Sequence, residues 1–268
     1  LFREEALFLA VDSAGVAEAV GSLGIADLNR FFALHNSCHM QAPEDEAVGI
    51  FLTNALECGT ASGNSPQVGI FPMLSRVNHS CTPNAITLWD VLSRRKLLVA
   101  DAPIAAGMEV TISYIDSEKY SAHERQELLT SRWAFDCACS ACSRPADAQS
   151  LSDERRLAIG RLQAEVKRHV GSRDFEQALE KLVCRLELME EEGVLSVAAA
   201  AREASLACEL SLALSEPGVA ADWLEAHARY AELARGDARE ASARLARLRA
   251  GAAQSGPTVV PPLEETRN

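Results

Sequence analysis

The chain has 268 residues, of which 48% are hydrophobic, with eight cysteines and a formal net charge of −12. That length suits one large domain or two smaller ones, and so acidic a chain lacks the basic stripe of a nucleic-acid binder, so no direct nucleic-acid contact is expected. The cysteines are too few and too clustered for a disulfide scaffold, no apolar run approaches a membrane span and no signal-peptide pattern opens the chain, so an intracellular protein away from membranes is expected.

In chain order, residues 1–46 carry apolar groups at mixed helical spacing, among them Val16, Val20, Leu23, Leu28, Phe31, Phe32 and Leu34. Asp27 is placed to cap a helix over the second group, and Glu44, Asp45 and Glu46 read as a solvated helix start. A mostly apolar segment from Val48 to Leu56 precedes a Gly/Ser/Asn/Pro loop from Gly59 to Pro66. From Gly69 the texture is β, with strands expected over Ala85–Leu92 and Lys96–Ala100 and a turn at Ala105–Gly107. A further strand runs from Met108 to Ile115, with Val110, Ile112 and Tyr114 on one face. After Cys142 the composition turns to Ala, Leu, Glu and Arg. Ser152 is expected to cap a helix to about Val170, followed by helices near 175–192, 197–215, 221–235 and 237–249, punctuated by Gly193, Pro217-Gly218 and Gly236. The array is TPR-like in spacing without a clean repeat, and 251–268 reads as a disordered tail. Short strands without a βαβ rhythm exclude a doubly wound fold.

Cysteines concentrate at Cys137-Ala138-Cys139-Ser140-Ala141-Cys142, one thiolate short of the four that a closed structural zinc site takes. Cys81, in Asn78-His79-Ser80-Cys81-Thr82-Pro83-Asn84, is the natural fourth. One structural zinc on Cys81, Cys137, Cys139 and Cys142 is therefore expected, with no open coordination position. His35, Cys38 and His39 form a second tempting group, but nothing nearby completes it, and Cys58, Cys184 and Cys208 read as buried thiols. On their own, Tyr114 would be a core aromatic and Asn78–Asn84 a polar turn.

The N-H-S-C-x-P-N turn, the run Glu109-Val110-Thr111-Ile112-Ser113-Tyr114-Ile115-Asp116 and the closing C-x-C-x2-C together resemble the catalytic half of SET-domain protein lysine methyltransferases. The resemblance is nearest to the SMYD branch and its fungal relatives without a MYND module, and it runs from about Gly49 to Cys142. It implies an α+β fold: a SET-type β domain with short strands and a knot-like crossing, a zinc-binding post-SET loop, and an all-α helical array. The expected organisation is an N-terminal part (1–48), a SET core (49–118), a post-SET cysteine loop (119–145), a helical domain (150–250) and the tail.

The resemblance also implies methyl transfer from S-adenosylmethionine to a protein lysine ε-amine, in the nucleus, the cytoplasm or both. Tyr114 would orient the amine. Asn78, His79, Ser75, Asn54 and Phe135 would bind the cofactor, and Trp133 would line the lysine channel. The substrate would be a protein with an exposed lysine, for which a basic tail suits the acidic surface, and the helical array could dock a protein partner. The family's Gly-x-Gly cofactor strand is not found in residues 1–48, where Gly15, Gly21 and Gly24 have helical surroundings. A fragment of a longer enzyme, or a catalytically inactive zinc-stabilised interaction module, is the alternative expectation.

Overall fold

The computed structural model describes residues 1–38, 46–60, 66–235 and 239–252. It divides into two units, one of Leu1–Ser117 with Ala122–Arg144, the other of Glu118–Ser121 with residues from Pro145 onward.

The first unit holds, in chain order, β1 (Phe2–Glu5), β2 (Leu9–Ala10), α1 (Val16–Gly21), α2 (Ile25–Phe32), α3 (Glu46–Asn54), β3 (Leu56–Thr60), β4 (Pro66–Gly69), β5 (Asn78–His79), β6 (Ala85–Asp90), β7 (Arg95–Ala100), β8 (Thr111–Ile112) and α4 (Ala122–Trp133). They form three small sheets, ordered β1-β7-β6, β2-β4-β3 and β5-β8. The β6–β7 hairpin pairs Ala85 with Ala100 and Asp90 with Arg95. Asp90 closes its tip by accepting from Leu92 N–H and from the Ser93 hydroxyl, an Asx turn. Val16, Val20, Phe31, Ile50, Phe51 and Ile70 make the main apolar core of this unit.

Several local expectations need correction. Residues 2–5 and 9–10 are strands. The helical spacing misleads there because the buried position of β1 is Glu4, whose carboxylate accepts from Met73 N–H at 3.0 Å and Leu74 N–H at 2.9 Å. Asp27 does not cap α2, since Gly24 occupies that place, and Asp27 instead pairs with Arg30 from the first turn. The strand expected over 108–115 shrinks to Thr111–Ile112; Val110 is exposed while Ile112 is buried. Strand β8 runs parallel to β5, pairing Asn78 with Thr111 and His79 with Ile112. Asn84 pins that pairing, donating to Glu109 O at 2.8 Å and accepting from Thr111 N–H at 2.9 Å. The first half of the expected cysteine loop is α4, so only a short turn after Trp133 carries the three thiols. Residues 44–45 and His39 lie outside the described residues, as does the middle of the expected 59–66 loop.

The second unit holds α5 (Ala146–Gly171), α6 (Phe175–Glu192), α7 (Val197–Ala213), α8 (Pro217–Arg235) and α9 (Arg239–Ala252), each packed on the next. Asp174 caps α6 and Gly193, at φ 72°, ends it in the left-handed region, as a helix C-terminus favours. Ser152 does not cap α5. It lies within the helix, buried, and its hydroxyl donates to Glu192. Pro217 starts α8, where its missing N–H costs nothing. The last helix covers 251–252, and the rest of the expected tail lies outside the described residues.

Candidate active site and metal centre

Four thiols converge. Cys81 follows β5, and Cys137, Cys139 and Cys142 lie on the turn after α4; their sulfurs all lie within 4.8 Å of one another. Cys81 Sγ is 3.6 Å from Cys142 Sγ and 4.0 Å from Cys137 Sγ. Zinc–sulfur bonds of about 2.3 Å in a tetrahedron require sulfurs about 3.8 Å apart, so this cluster could hold zinc.

Both limbs are held firmly. Gln126 on α4 accepts from Cys137 N–H at 2.8 Å and donates to Cys137 O at 2.7 Å. The Ser117 hydroxyl donates to Cys81 O at 3.1 Å, and Cys142 N–H donates to Cys139 O at 2.9 Å. Hydrogen bonds from Cys142 and Cys81 hold the Cys139 thiol far below its usual pKa, while Cys81 and Cys137 are pushed up, Cys81 chiefly by its bond to Cys139 and Cys137 chiefly by burial. Thiols packed this closely ionise together only with cationic charge beside them. One such charge is present: Arg125 is wholly buried with a guanidinium nitrogen 3.7 Å from Cys142 Sγ.

His79 ties the cluster to Tyr114. Its Nδ1 accepts from Tyr114 N–H at 3.0 Å, and its Nε2 lies 3.2 Å from Cys81 Sγ. Since Nδ1 accepts, the ring proton is on Nε2 and points at the sulfur. Burial lowers the imidazole pKa to about 4, which keeps the ring neutral.

Beside the cluster lies a cleft of about 1110 Å³, lined by Asn54, Ser75, Asn78, His79, Tyr114, Trp133 and Phe135 among others. The structure therefore brings all seven non-metal candidates onto one cleft, within the first unit. The Tyr114 ring centroid is 5.2 Å from Trp133, 5.3 Å from His79 and 6.4 Å edge-on from Phe135, distances at which aromatic rings attract. Trp133 Nε1–H donates to Thr53 O at 2.9 Å. Between Trp133 and Phe135, Ala134 takes φ 57°, a strained turn for a residue with a Cβ.

The Tyr114 hydroxyl donates to Val77 O at 2.7 Å, leaving its oxygen lone pairs to accept. Burial raises its pKa, with a smaller push from Glu109, so it stays a neutral phenol. Asn78 donates to Glu109 Oε1 at 2.6 Å. The Asn54 amide is already engaged with His35 O and Ile50 O, both at 2.7 Å, and the Ser75 hydroxyl donates to Asn54 O at 3.3 Å.

Sequence reasoning passed over Arg125, Gln126 and Glu109, which hold these groups, and Lys96, which also lines the cleft. Arg125 and Gln126 read as ordinary polar positions of a helix. Only their place shortly ahead of the three cysteines in sequence hinted at a role.

The SET domain family model matches residues 17–115. The chain is 36% identical over 110 residues to the histone-lysine N-methyltransferase set5 of Schizosaccharomyces pombe, covering 41% of this chain and 33% of that protein. It is 29% identical over 236 residues to the protein-lysine N-methyltransferase SMYD4 of Pongo abelii, covering 82% of this chain and 28% of that one. To the histone-lysine N-methyltransferase SMYD3 of Mus musculus it is 31% identical over 113 residues, 42% of this chain and 26% of the relative. The chain thus spans a third or less of the length of these relatives. The match to SMYD4 covers more than the SET region and so reaches into the helical unit. With an α+β first unit, an all-helical second and a thiol cluster able to bind zinc, residues 17–115 are a SET domain, and the chain that carries it is SMYD-like, related to the SET-domain lysine methyltransferases.

Proposed function

We propose that this chain transfers a methyl group from S-adenosylmethionine to the ε-amine of a protein lysine, in the nucleus or cytoplasm. The observation that carries the reading is one cleft holding Asn54, Ser75, Asn78, His79, Tyr114, Trp133 and Phe135 against the four-thiol cluster. The relatives' names, as histone- or protein-lysine N-methyltransferases, support the same reaction class.

The bound cofactor would supply an electrophilic methyl on sulfur, for which alignment matters more than a strong base. Asn78, His79, Asn54, Ser75 and Phe135 line the wall where it would be held. The engaged Asn54 amide and Ser75 hydroxyl make those two residues shape the wall more than bind through those groups. Tyr114 and Trp133 form the aromatic side. A lysine amine entering there loses water, which lowers its pKa toward the neutral, nucleophilic form. The Tyr114 oxygen, its own proton given to Val77 O, accepts an amine N–H and so aims the lone pair. Cys81, Cys137, Cys139 and Cys142 would hold one structural zinc, which would fix the Phe135-bearing turn against β5.

Calorimetric titration of S-adenosylhomocysteine into the zinc-loaded chain tests the cofactor reading. One-to-one binding in the micromolar range is expected. Heat no different from dilution would overturn it.

A further inference from the structure

Strand β7 alternates as a hairpin strand must, with Leu97 and Val99 buried on one face. Lys96 belongs to the opposite face, yet it is only 5% exposed. Its ammonium donates to the backbone carbonyl of Glu57, and no carboxylate of the described residues forms an ion pair with it. An ammonium carries three donors, so two remain. Burial lowers the amine's pKa, and Cys58 and Glu57 offset only part of that. A buried cation without an ion-pair partner is unfavourable, and packing alone would be better served by Leu or Met.

Lys96 and Glu57 both line the cleft. The lining also includes the basic Arg76 and Arg132 and the acidic Glu57 and Asp116. Three basic residues and two acidic ones thus line it, in a chain whose net charge is −12. This wall favours a negatively charged ligand group, and Lys96 is its most buried charge.

We propose that Lys96 anchors a carboxylate in the cleft, supplied either by the amino-acid end of the methyl donor or by an acidic side chain near the target lysine, an inference that rests on the methyltransferase reading. An ammonium paired with a carboxylate in a water-poor site gains a charge-assisted hydrogen bond and regains its lost counter-charge.

The test compares S-adenosylhomocysteine with its decarboxylated analogue, which lacks only the carboxylate. Both are titrated into the zinc-loaded full chain, as wild type and as Lys96→Met. That substitution keeps the side-chain length, and thermal unfolding at or above the wild-type Tm shows that it folds; should it not, Lys96→Gln takes its place. A ten-fold or greater advantage for the carboxylate form in wild type, absent from the variant, assigns the carboxylate to the cofactor.

If the two analogues bind wild type alike, a lysine-centred peptide library methylated by both proteins decides. Preference for Asp or Glu over Asn or Gln at one position, lost in the variant, assigns the carboxylate to the substrate. No carboxylate dependence in either assay overturns the proposal and leaves the methyltransferase reading standing. Silence of wild type toward both analogues removes that reading and the proposal together.

Discussion

His79 Nδ1 receives the backbone N–H of Tyr114 at 3.0 Å while its Nε2 faces the sulfur of Cys81 at 3.2 Å. One neutral ring therefore couples the turn after β8 that presents Tyr114 to the thiol cluster. Orientation of a metal ligand by an outer partner is general; here the partner also sets the position of a candidate catalytic residue.

His79→Leu keeps the volume and removes both bonds. It leaves the Tyr114 N–H unsatisfied, at about 1–3 kcal/mol, and frees the turn after β8 to shift. Turnover is expected to fall about 100-fold, the scale of a displacement near 1 Å, with zinc less tightly held. Steady-state kinetics and chelator competition on one preparation check this.

Tyr114→Phe removes only the hydroxyl. The half-buried ring stays packed on Trp133 and Phe135, so zinc content should match wild type and stability should fall only by the lost Val77 bond, about 1 kcal/mol. Turnover should fall about 100-fold, the scale of losing one preorganised hydrogen-bonding group. Unchanged turnover would remove Tyr114 from the mechanism.

Arg125→Met tests charge balance at the thiol cluster. Four thiolates around a divalent ion leave excess negative charge, and Arg125 is the buried cation beside Cys142. Zinc affinity is expected to fall about ten-fold or more, in the range found when an outer partner of a metal site is lost. Competition with a colorimetric chelator reads it directly. Zinc removal from wild type should speed amide exchange over residues 134–144, since metal binding and local folding are coupled.

In the helical unit, Arg185 is 2% exposed and pairs with Glu203 at 2.8 Å. Glu203→Ala leaves that guanidinium buried without its carboxylate, at about 3–5 kcal/mol. The double change Arg185→Met with Glu203→Leu should cost far less. Urea unfolding of the single and double variants checks the pair.

The sequence displays what repeats locally and hides what depends on distant partners. The end of α6 is legible because Gly193 punctuates it, and the thiol cluster because cysteine is rare and its spacing is that of a chelating turn. Strand β1 was opaque because its buried residue is a glutamate serving Met73 and Leu74, about seventy residues on. Ser152 resembles a cap until Glu192 is brought to it from α6. Strand β8 looked longer because Val110 and Tyr114 fit an alternation that only Ile112 completes; beyond it the backbone turns to serve His79. Lys96 and Arg125 were invisible as buried charges, since burial of a charge is decided by what surrounds it in space.

The most direct measurement is isotopic methyl transfer. The zinc-loaded chain is incubated with S-adenosylmethionine bearing a trideuterated methyl and with a mixture of lysine-rich proteins, and the products are mapped by mass spectrometry. Label on lysine ε-amines, present with wild type and sharply reduced with Tyr114→Phe, is the result predicted. Label that is absent with wild type, or unchanged by Tyr114→Phe, would contradict methyl transfer at this cleft.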